Sequence, residues 1–592
     1  MTTDLLFKHF HLLADTPGGV QKLRELILQL AVQGKLVPQN QKDAPASELL
    51  EEIEAEKQRL VNEGKIKKQK QLPEIKPEEV PFELPEGWEW GKLINVGYWA
   101  LGSGFPLSYQ GIDKGDYLFC KVGDMNLPEN ERYIRKTKNY ISKEILKKIK
   151  AKIHPPGTII FPKIGGAIAT NKRRILAKYS AIDNNCLGVT PFNAVNTDWL
   201  FIQLLALDFT QYQSGTSLPA LSQGVLANII IGVPPLREQH RIVSKVDQLM
   251  ALCDELEAKK EKQQTTHTRL NKSALHALRE SRTRDELIHN WTRIKNNFHH
   301  LFTTPEAIQE LRSTILQLAV QGRLVPQNPD DEPASMLLEK IREEKKQLIK
   351  EGQIKKQKPL PEIRPEEVPF EVPQGWVWVR FQDLGIFGRG KSKHRPRNDP
   401  VLYKDGNIPV VQTGDIARAN GHVKTYTGLY NQKGLSQSTL WPKGTLCITI
   451  AANIADSAIL SFDSCFPDSV VGFVPSAYIN DARYFDYFMR TTKKDLLSYA
   501  PSTAQKNINL GILNQLLIPL PPQQELKRIV AKVDHLMSFC EELESNLFQS
   551  QTDGEKLMEA VVAELSEQNI MTGSMRMANA NNHLPVSSAC SG

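Results

Sequence analysis

LRELILQLAVQGKLVPQN at residues 23–40 returns as LRSTILQLAVQGRLVPQN at residues 311–328, and this near-identity decides how the chain is read. The match runs without a gap from residues 10–90 to residues 298–378, an offset of 288. Phe10 answers to Phe298, Thr16-Pro17 to Thr304-Pro305, and Gly87-Trp88-x-Trp90 to Gly375-Trp376-x-Trp378. About two thirds or more of the positions from Leu23 to Trp90 are identical, far beyond what shared composition produces. A second shared block, Ile242 to Met250 against Ile529 to Met537, stands at an offset of 287. Between the blocks the two copies diverge almost completely. A tandem duplication that keeps some segments and varies others implies retained parts that meet a constant partner and varied parts that read something with two halves.

At 592 residues the chain exceeds a single core, and its length suggests roughly four units. The seven cysteines (Cys120, Cys186, Cys253, Cys447, Cys465, Cys540 and Cys590) form no CxxC pair and no His/Cys cluster at metal spacing, so neither zinc nor a disulfide framework is indicated. The first residues, MTTDLLFKHFHLL, lack the basic flank and apolar run of an export signal, and no apolar stretch reaches membrane-spanning length; a cytoplasmic protein is expected. Charge is unevenly placed. Residues 96–213 carry 16 Lys and Arg against 9 Asp and Glu, residues 381–500 carry 14 against 10, and the whole chain is only +7, so the remainder is net negative. Two separate basic modules suit phosphate-backbone binding, where each cation near a phosphate releases a counterion; a basic surface that merely aids solubility is the plainer alternative.

Apolar residues at helical spacing (Leu23, Leu26, Ile27, Leu30, Ala31) predict a helix over 20–34 that stops at Gly34. A second is predicted from Ala46 to Gly64, with Ser47 as its cap. Four prolines, Pro73, Pro77, Pro81 and Pro85, then favour extended chain. From about Trp88 short β-branched runs such as Gly157-Thr-Ile-Ile-Phe-Pro162 and Gly444-Thr-Leu-Cys-Ile-Thr-Ile450 read as strands of a mixed α/β domain. After Pro234-Pro235 and Pro521-Pro522, Ile242, Val246, Leu249, Cys253 and Leu256 step by 4, 3, 4, 3, as do Ile529, Val533, Leu536, Cys540 and Leu543, followed by Leu547. That is a coiled-coil seam on a helix running from about Glu238 to Ser281, roughly 65 Å long; packing of each helix on its own domain is the alternative.

Enzymatic motifs fail on context. Gly385-Ile-Phe-Gly-Arg-Gly-Lys391-Ser392 fits the phosphate-loop pattern, yet Lys391-Ser-Lys-His-Arg-Pro396-Arg-Asn-Asp-Pro400 cannot start the helix such a loop needs. Its glycines, matched by Gly97 and Gly102, are expected in turns and its basic run in a DNA-facing loop. The prolines at 155–156, 234–235 and 521–522 follow His, Val and Leu rather than the Asp or Asn of an adenine-methylation loop. Pro467-Asp468 has no acidic-x-Lys partner before residue 500, and Glu74-Ile-Lys76 becomes Glu362-Ile-Arg364 in the repeat. No catalytic residue is assigned.

The segments LRELILQLAVQGKLVPQ and LRSTILQLAVQGRLVPQ, PFELPEGWEW and PFEVPQGWVW, and PPLREQHRIVSKVDQLMALCDELE and PPQQELKRIVAKVDHLMSFCEELE closely resemble the specificity subunits of type I restriction-modification enzymes. The resemblance spans nearly all of residues 10–570. It implies a mixed α/β (α+β) chain with two tandem target-recognition domains, each reading one half of a split DNA site, joined by two long antiparallel coiled-coil helices under a pseudo-two-fold repeat. The implied division is a retained segment (1–95), a first recognition domain (96–215), a central helix (216–285), the second retained segment (286–380), a second recognition domain (381–502), a distal helix (503–570) and a disordered tail (571–592). The resemblance further implies double-stranded DNA as ligand, modification subunits, two in number, and ATP-driven restriction subunits as partners, and no membrane. S-adenosylmethionine, ATP and Mg²⁺ then belong to those partners, none being bound by this chain.

Within the first recognition domain the expected DNA contacts are Lys121, Lys163, Lys172, Arg173 and Arg174; within the second, Lys391, Lys393, Arg395, Arg397, Gln412, Thr413 and Arg418. Arg can bond guanine bidentately and Gln adenine, though most cation contacts go to phosphate. The seam residues of the two long helices are the expected coiled-coil and partner positions. A self-contained two-domain DNA-binding regulator, which would bind tightly without companions, and a fused enzyme with an unrecognised site are the competing readings.

Overall fold

The chain divides into two compact units, residues 1–263 with 550–592, and residues 264–549. The computed structural model describes residues 10–566 apart from 12, 15, 69–71, 216–217, 357–358, 452 and 499–507. The tail expected to be disordered, 571–592, lies outside the described residues.

In the first unit α1 (Gly19–Val32) and α2 (Ala46–Asn62) form where spacing predicts. Leu23, Leu26, Ile27, Leu30 and Ala31 of α1 are buried. Gly34 ends the helix with φ +68°, a left-handed conformation that a Cβ would strain. It also lies against Pro85 and Trp88, where a Cβ would come within 2.5 and 2.8 Å, so the helix end is fitted to the Gly-Trp motif. Ser47 does not cap α2. Pro45 occupies that position and offers no side-chain cap, and the Ala46 amide of the first turn donates to Gly87 O at 2.9 Å.

β1 (Glu89–Lys92) pairs antiparallel with β10 (Ile230–Val233), and the divergent segment lies between them. It contains β2 (Gly97–Leu101), β3 (Tyr117–Cys120), β4 (Tyr133–Ile134), β5 (Tyr140–Ile141), β6 (Ile159–Pro162), β7 (Arg174–Leu176), β8 (Ser180–Ile182), β9 (Cys186–Pro191) and α3 (Thr197–Ala206). These build a five-stranded sheet, β2-β9-β6-β7-β4, and a three-stranded one, β5-β3-β8. Then comes α4 (Leu236–Glu280), within two residues of the expected span at each end.

The second unit repeats this plan with α5 (Pro305–Val320), α6 (Ala334–Lys350) and β11 (Val377–Arg380), which pairs with β21 (Leu517–Leu520) in the matching register. Enclosed are β12 (Gly385–Arg389), β13 (Ile408–Val410), β14 (His422–Val423), β15 (Gly428–Tyr430), β16 (Leu440–Trp441), β17 (Leu446–Thr449), β18 (Ser457–Leu460), β19 (Ser464–Cys465), β20 (Val470–Pro475) and α7 (Arg483–Ser498). Their sheets are β12-β20-β17-β18-β14 and β15-β13-β19-β16. Strand for strand the first order equals that of the other unit, including the parallel pairs β4·β7 and β14·β18. Two sequences with almost nothing in common thus follow one path. α8 (Gln523–Ser566) closes the chain.

α4 begins in the first unit, and its residues from 264 belong to the second; α8 begins in the second, and its residues from 550 belong to the first. The first core therefore includes Met558 beside Phe10, Leu23 and Ile27, and the second includes Leu275 and Leu278. The seam residues are core residues of their own units. Ile242, Val246, Leu249 and Cys253 are buried with α1 and Leu256 packs against them, while Ile529, Val533 and Cys540 are buried in the second core with Leu536, Leu543 and Leu547 packed on it. In this half of each helix the 4-3 stepping serves burial on the unit's own apolar cluster. Arg24 of α1 bonds Asp254 and Glu257 of α4 at 2.6 and 2.7 Å, and Arg312 of α5 bonds Glu544 of α8 at 2.9 Å.

Each divergent domain is also clamped to its long helix, by different residues. Arg132 bridges Asp198 and Asp247 at 2.8 Å each, whereas Asp534, the repeat mate of Asp247, pairs with Arg483 and accepts from Tyr487 Oη at 2.7 Å.

Candidate nucleic-acid interface

β3 and β8 run parallel, as do β13 and β19, and in open sheets the carboxyl ends of parallel strands are where ligands are met. In the first unit this edge gathers three of the expected cations. The Asp183 amide donates to Cys120 O at 2.9 Å, directly before Lys121, and the Lys163 amide donates to Asn185 O at 2.8 Å. Lys172 Nζ donates to Asn126 Oδ1 in the turn that follows Lys121. Lys121 itself is half-buried and held by Gln110 Oε1 at 2.9 Å. Lys163 is half-exposed, and its ammonium has no bonded partner among the described residues.

Arg173, expected as a DNA contact, is turned inward and not presented at this edge. It is 1% exposed, donates to Leu204 O and Leu207 O at 3.2 and 3.0 Å around the carboxyl end of α3, and lies 3.7 Å from the Phe209 ring centroid. Burial pulls its guanidinium down to about 9, and the side chain serves as a cap for orphan helix carbonyls. Arg174 is half-buried, donates to Arg173 O at 2.7 Å and is likewise lowered by burial.

In the second unit Lys391, Lys393, Arg395 and Arg397 are all exposed on the loop after β12. That loop is fastened at its backbone: Lys391 O accepts from Ser438 Oγ at 2.9 Å and the Lys393 amide donates to Gln437 Oε1 at 2.6 Å. Arg395 folds onto Ser392 O at 2.6 Å, and Arg397 pairs with Asp468 at 2.7 Å. Arg389, the last residue of β12 and not among the expected contacts, donates to Asp468 O and adds one more cation just ahead of this loop. Its signal was adjacency, since it stands two residues before Lys391. Gln412 and Thr413 are half-buried where the short helix Thr413–Arg418 begins, and Arg418 is exposed beside Asp415 at 3.0 Å.

The phosphate-loop pattern is a strand. Gly385–Arg389 is β12, paired with β20, and Lys391 starts no helix. Its glycines are close-approach residues rather than turns: a Cβ at Gly390 would sit 2.3 Å from Pro467 O, and at the matching Gly102 1.9 Å from Asp183 O. Among the described residues no group of three or more His, Cys, Asp or Glu is placed to hold a metal, and no helix is long and apolar enough to cross a membrane. Elsewhere in the second unit a groove of about 1780 Å³ is lined by Arg483, Asp486, Arg490 and Asp534 but by none of the expected DNA-contacting residues.

The family model for the type I restriction modification DNA specificity domain matches twice, over residues 85–267 and 373–550. The chain is 35% identical over 558 residues to the type I restriction enzyme EcoAI specificity subunit of Escherichia coli, covering 89% of this chain and 90% of that one. It is 31% identical to the EcoEI specificity subunit of the same organism, covering 90% and 91%. A looser likeness, 17% identical with TM-score 0.43 over 84% of this chain and all of the other, is to the crystal structure of the HsdS subunit from Thermoanaerobacter tengcongensis. The matched domain, present twice, and the nearly full-length identity place this chain in the family of type I restriction-modification DNA specificity subunits.

Proposed function

We propose that residues 96–215 and 381–502 each read one half of a bipartite double-stranded DNA target, and that the retained segments and long helices set the unread spacer and dock modification subunits, two of them, together with restriction subunits. As a specificity subunit the chain is non-catalytic. S-adenosylmethionine, ATP and Mg²⁺ are assigned to the partners, which methylate adenine or restrict the DNA at the address this chain supplies, in a cytoplasmic defence against foreign DNA. The observation that carries this reading is one strand order built twice from divergent basic sequences inside a retained frame. A frame that is constant suits constant partners, and domains that vary suit a varied ligand. The basic edge cations act chiefly on phosphates and position the duplex, and fewer side chains read bases.

The test is to map methylated adenines in DNA exposed to this subunit with its modification subunits, then to exchange residues 96–213 for the corresponding domain of another family member. One half of the site should change and the other half should not. Change in both halves would refute independent reading, and methylation or cleavage by the lone chain would refute a non-catalytic role.

A further inference from the structure

The turn after β3 and the turn after β13 are the same object. Lys121 and Gln412 have backbone angles of φ −109°, ψ 163° and φ −104°, ψ 167°. Three residues on, a buried aspartate bonds back to each: Asp124 Oδ2 accepts from the Lys121 amide at 2.8 Å and Asp415 Oδ2 from the Gln412 amide at 2.9 Å. The return bonds, Asp124 N to Lys121 O and Asp415 N to Gln412 O, are both 3.0 Å. A second donor comes from equivalent places on the neighbouring strand connection, the Lys138 amide at 3.0 Å and the Thr427 hydroxyl at 2.6 Å. Strand register confirms that the two positions correspond, since Tyr117 opposite Ile141 and Ile408 opposite Tyr430 lie four residues before each turn residue.

Residues 121 and 412 enter this lock through their main chain alone, bonded to the carboxylate and amide of residues 124 and 415. The side chains at 121 and 412 take no part in it. Any side chain but proline, which lacks the donating amide, can therefore be carried there at little structural cost, at the carboxyl end of a parallel strand pair. Here the two domains carry different chemistry at that point. Lys121 is an ammonium donor steadied by Gln110, whose own amide donates to Phe105 O at 2.9 Å. Gln412 is a neutral donor and acceptor, half-buried, which makes no side-chain bond to the helix it precedes.

Resting on the reading that each domain meets one half of the target, we propose that Lys121 and Gln412 are matched specificity-determining positions, Lys121 selecting guanine through O6 and N7 and Gln412 selecting adenine through N6 and N7 in the major groove. A lysine presents only donors and suits the two acceptors of guanine; a glutamine presents one of each and suits adenine. The arrangement differs from the exposed cations around it, which engage any phosphate irrespective of sequence.

The experiment uses the full chain with its modification subunits methylating a random-sequence DNA library, the marked sites being read by sequencing. Gln412→Lys should shift preference from adenine to guanine at one base of one half, and Lys121→Gln should make the reverse change at one base of the other half, with spacer and remaining bases unaltered. Gln412→Ala should lower discrimination at its base by roughly 10- to 100-fold while leaving the melting temperature and the salt dependence of binding unchanged. Because the lock is made by backbone and carboxylate, this truncation serves as the test should lysine not fit. Unchanged sites in the exchange variants, or uniform loss of affinity without a change in preference, overturns the inference. If the unmodified complex marks no split site at all, the functional reading falls and takes this inference with it; if it marks one that the variants fail to move, only the inference falls.

Discussion

Arg173 is a cation turned inward, and its neighbours in sequence gave no hint of it. Asn171-Lys172-Arg173-Arg174 looks like a solvent-facing basic run, but β7 begins at Arg174, and α3 presents its unpaired carbonyls to Arg173 from across the fold. Only the tertiary arrangement distinguishes the two roles. Arg173→Met should destabilise the first unit by about 2 kcal/mol, the cost of leaving helix carbonyls without donors, as read from urea unfolding. It should leave the slope of DNA affinity against salt unchanged, whereas Lys163→Ala should reduce that slope by about one. Asp486 makes a second prediction at this scale. Fully buried beside Ser457 Oγ at 2.7 Å and Arg490 at 2.9 Å, it is raised to about 6 by burial against an ordinary 3.8. A carboxyl whose folded value exceeds its unfolded one contributes stability that is complete below about 4 and lost as pH rises through about 6. Asp486→Asn should therefore be flatter in stability between pH 4 and 7 than the parent, by up to about 3 kcal/mol, in parallel urea titrations.

Among elements, helices were the more legible part of the sequence. α1, α2 and α4 appear within a few residues of their expected spans because apolar periodicity and the stops at Gly34 and Gly64 are local signals. The 4-3 stepping on α4 and α8 reads as a coiled-coil seam or as packing of each helix on its own domain, and that its first half lies in one apolar cluster with α1 and α5 respectively is a long-range fact that periodicity does not encode. The matching of β3 with β13 was also hidden, since Lys121-Val-Gly-Asp124 and Gln412-Thr-Gly-Asp415 share too few letters to announce a common turn without the strand register. The starts of the long helices carry a duplicated polar cluster. Glu525, raised by burial, accepts from Trp376 Nε1 at 3.0 Å and Gln327 Nε2 at 3.1 Å, while Arg528 grips Asp331 at 2.6 and 3.2 Å; Glu238, Gln39, Arg241 and Asp43 form the counterpart. The Asp331 side chain is only 6% exposed, so Arg528→Ala should cost roughly 2 kcal/mol by stranding a carboxylate, the discount reflecting the partly exposed arginine. Urea unfolding of the variant checks this, and Asp331→Asn in the same background should restore part of the loss.

At the scale of the whole molecule, the last described stretch of α8 belongs to the first unit, where Met558 is fully buried and Gly554 lies against Thr16 and Pro17. Truncation after Gln549 should thus speed hydrogen exchange in α1, some five hundred residues upstream in sequence, while exchange in α5 stays as it was. Protection of α1 unchanged by the truncation would refute that dependence.

The pairing of β1 with β10, and of β11 with β21, has an evolutionary corollary. Entry and exit of each divergent stretch leave through one hydrogen-bonded neck, closed by residues of the permanent scaffold. Whatever is threaded through that neck behaves as a cassette: its size and lettering can be replaced by recombination with the flanking architecture left intact. Only the latch to the long helix has to be supplied by the stretch itself, and Arg132 and Arg483 supply it from different places in the two domains. If each enclosed stretch reads its own half of the target, as proposed, one genetic exchange would hand such a lineage a new address.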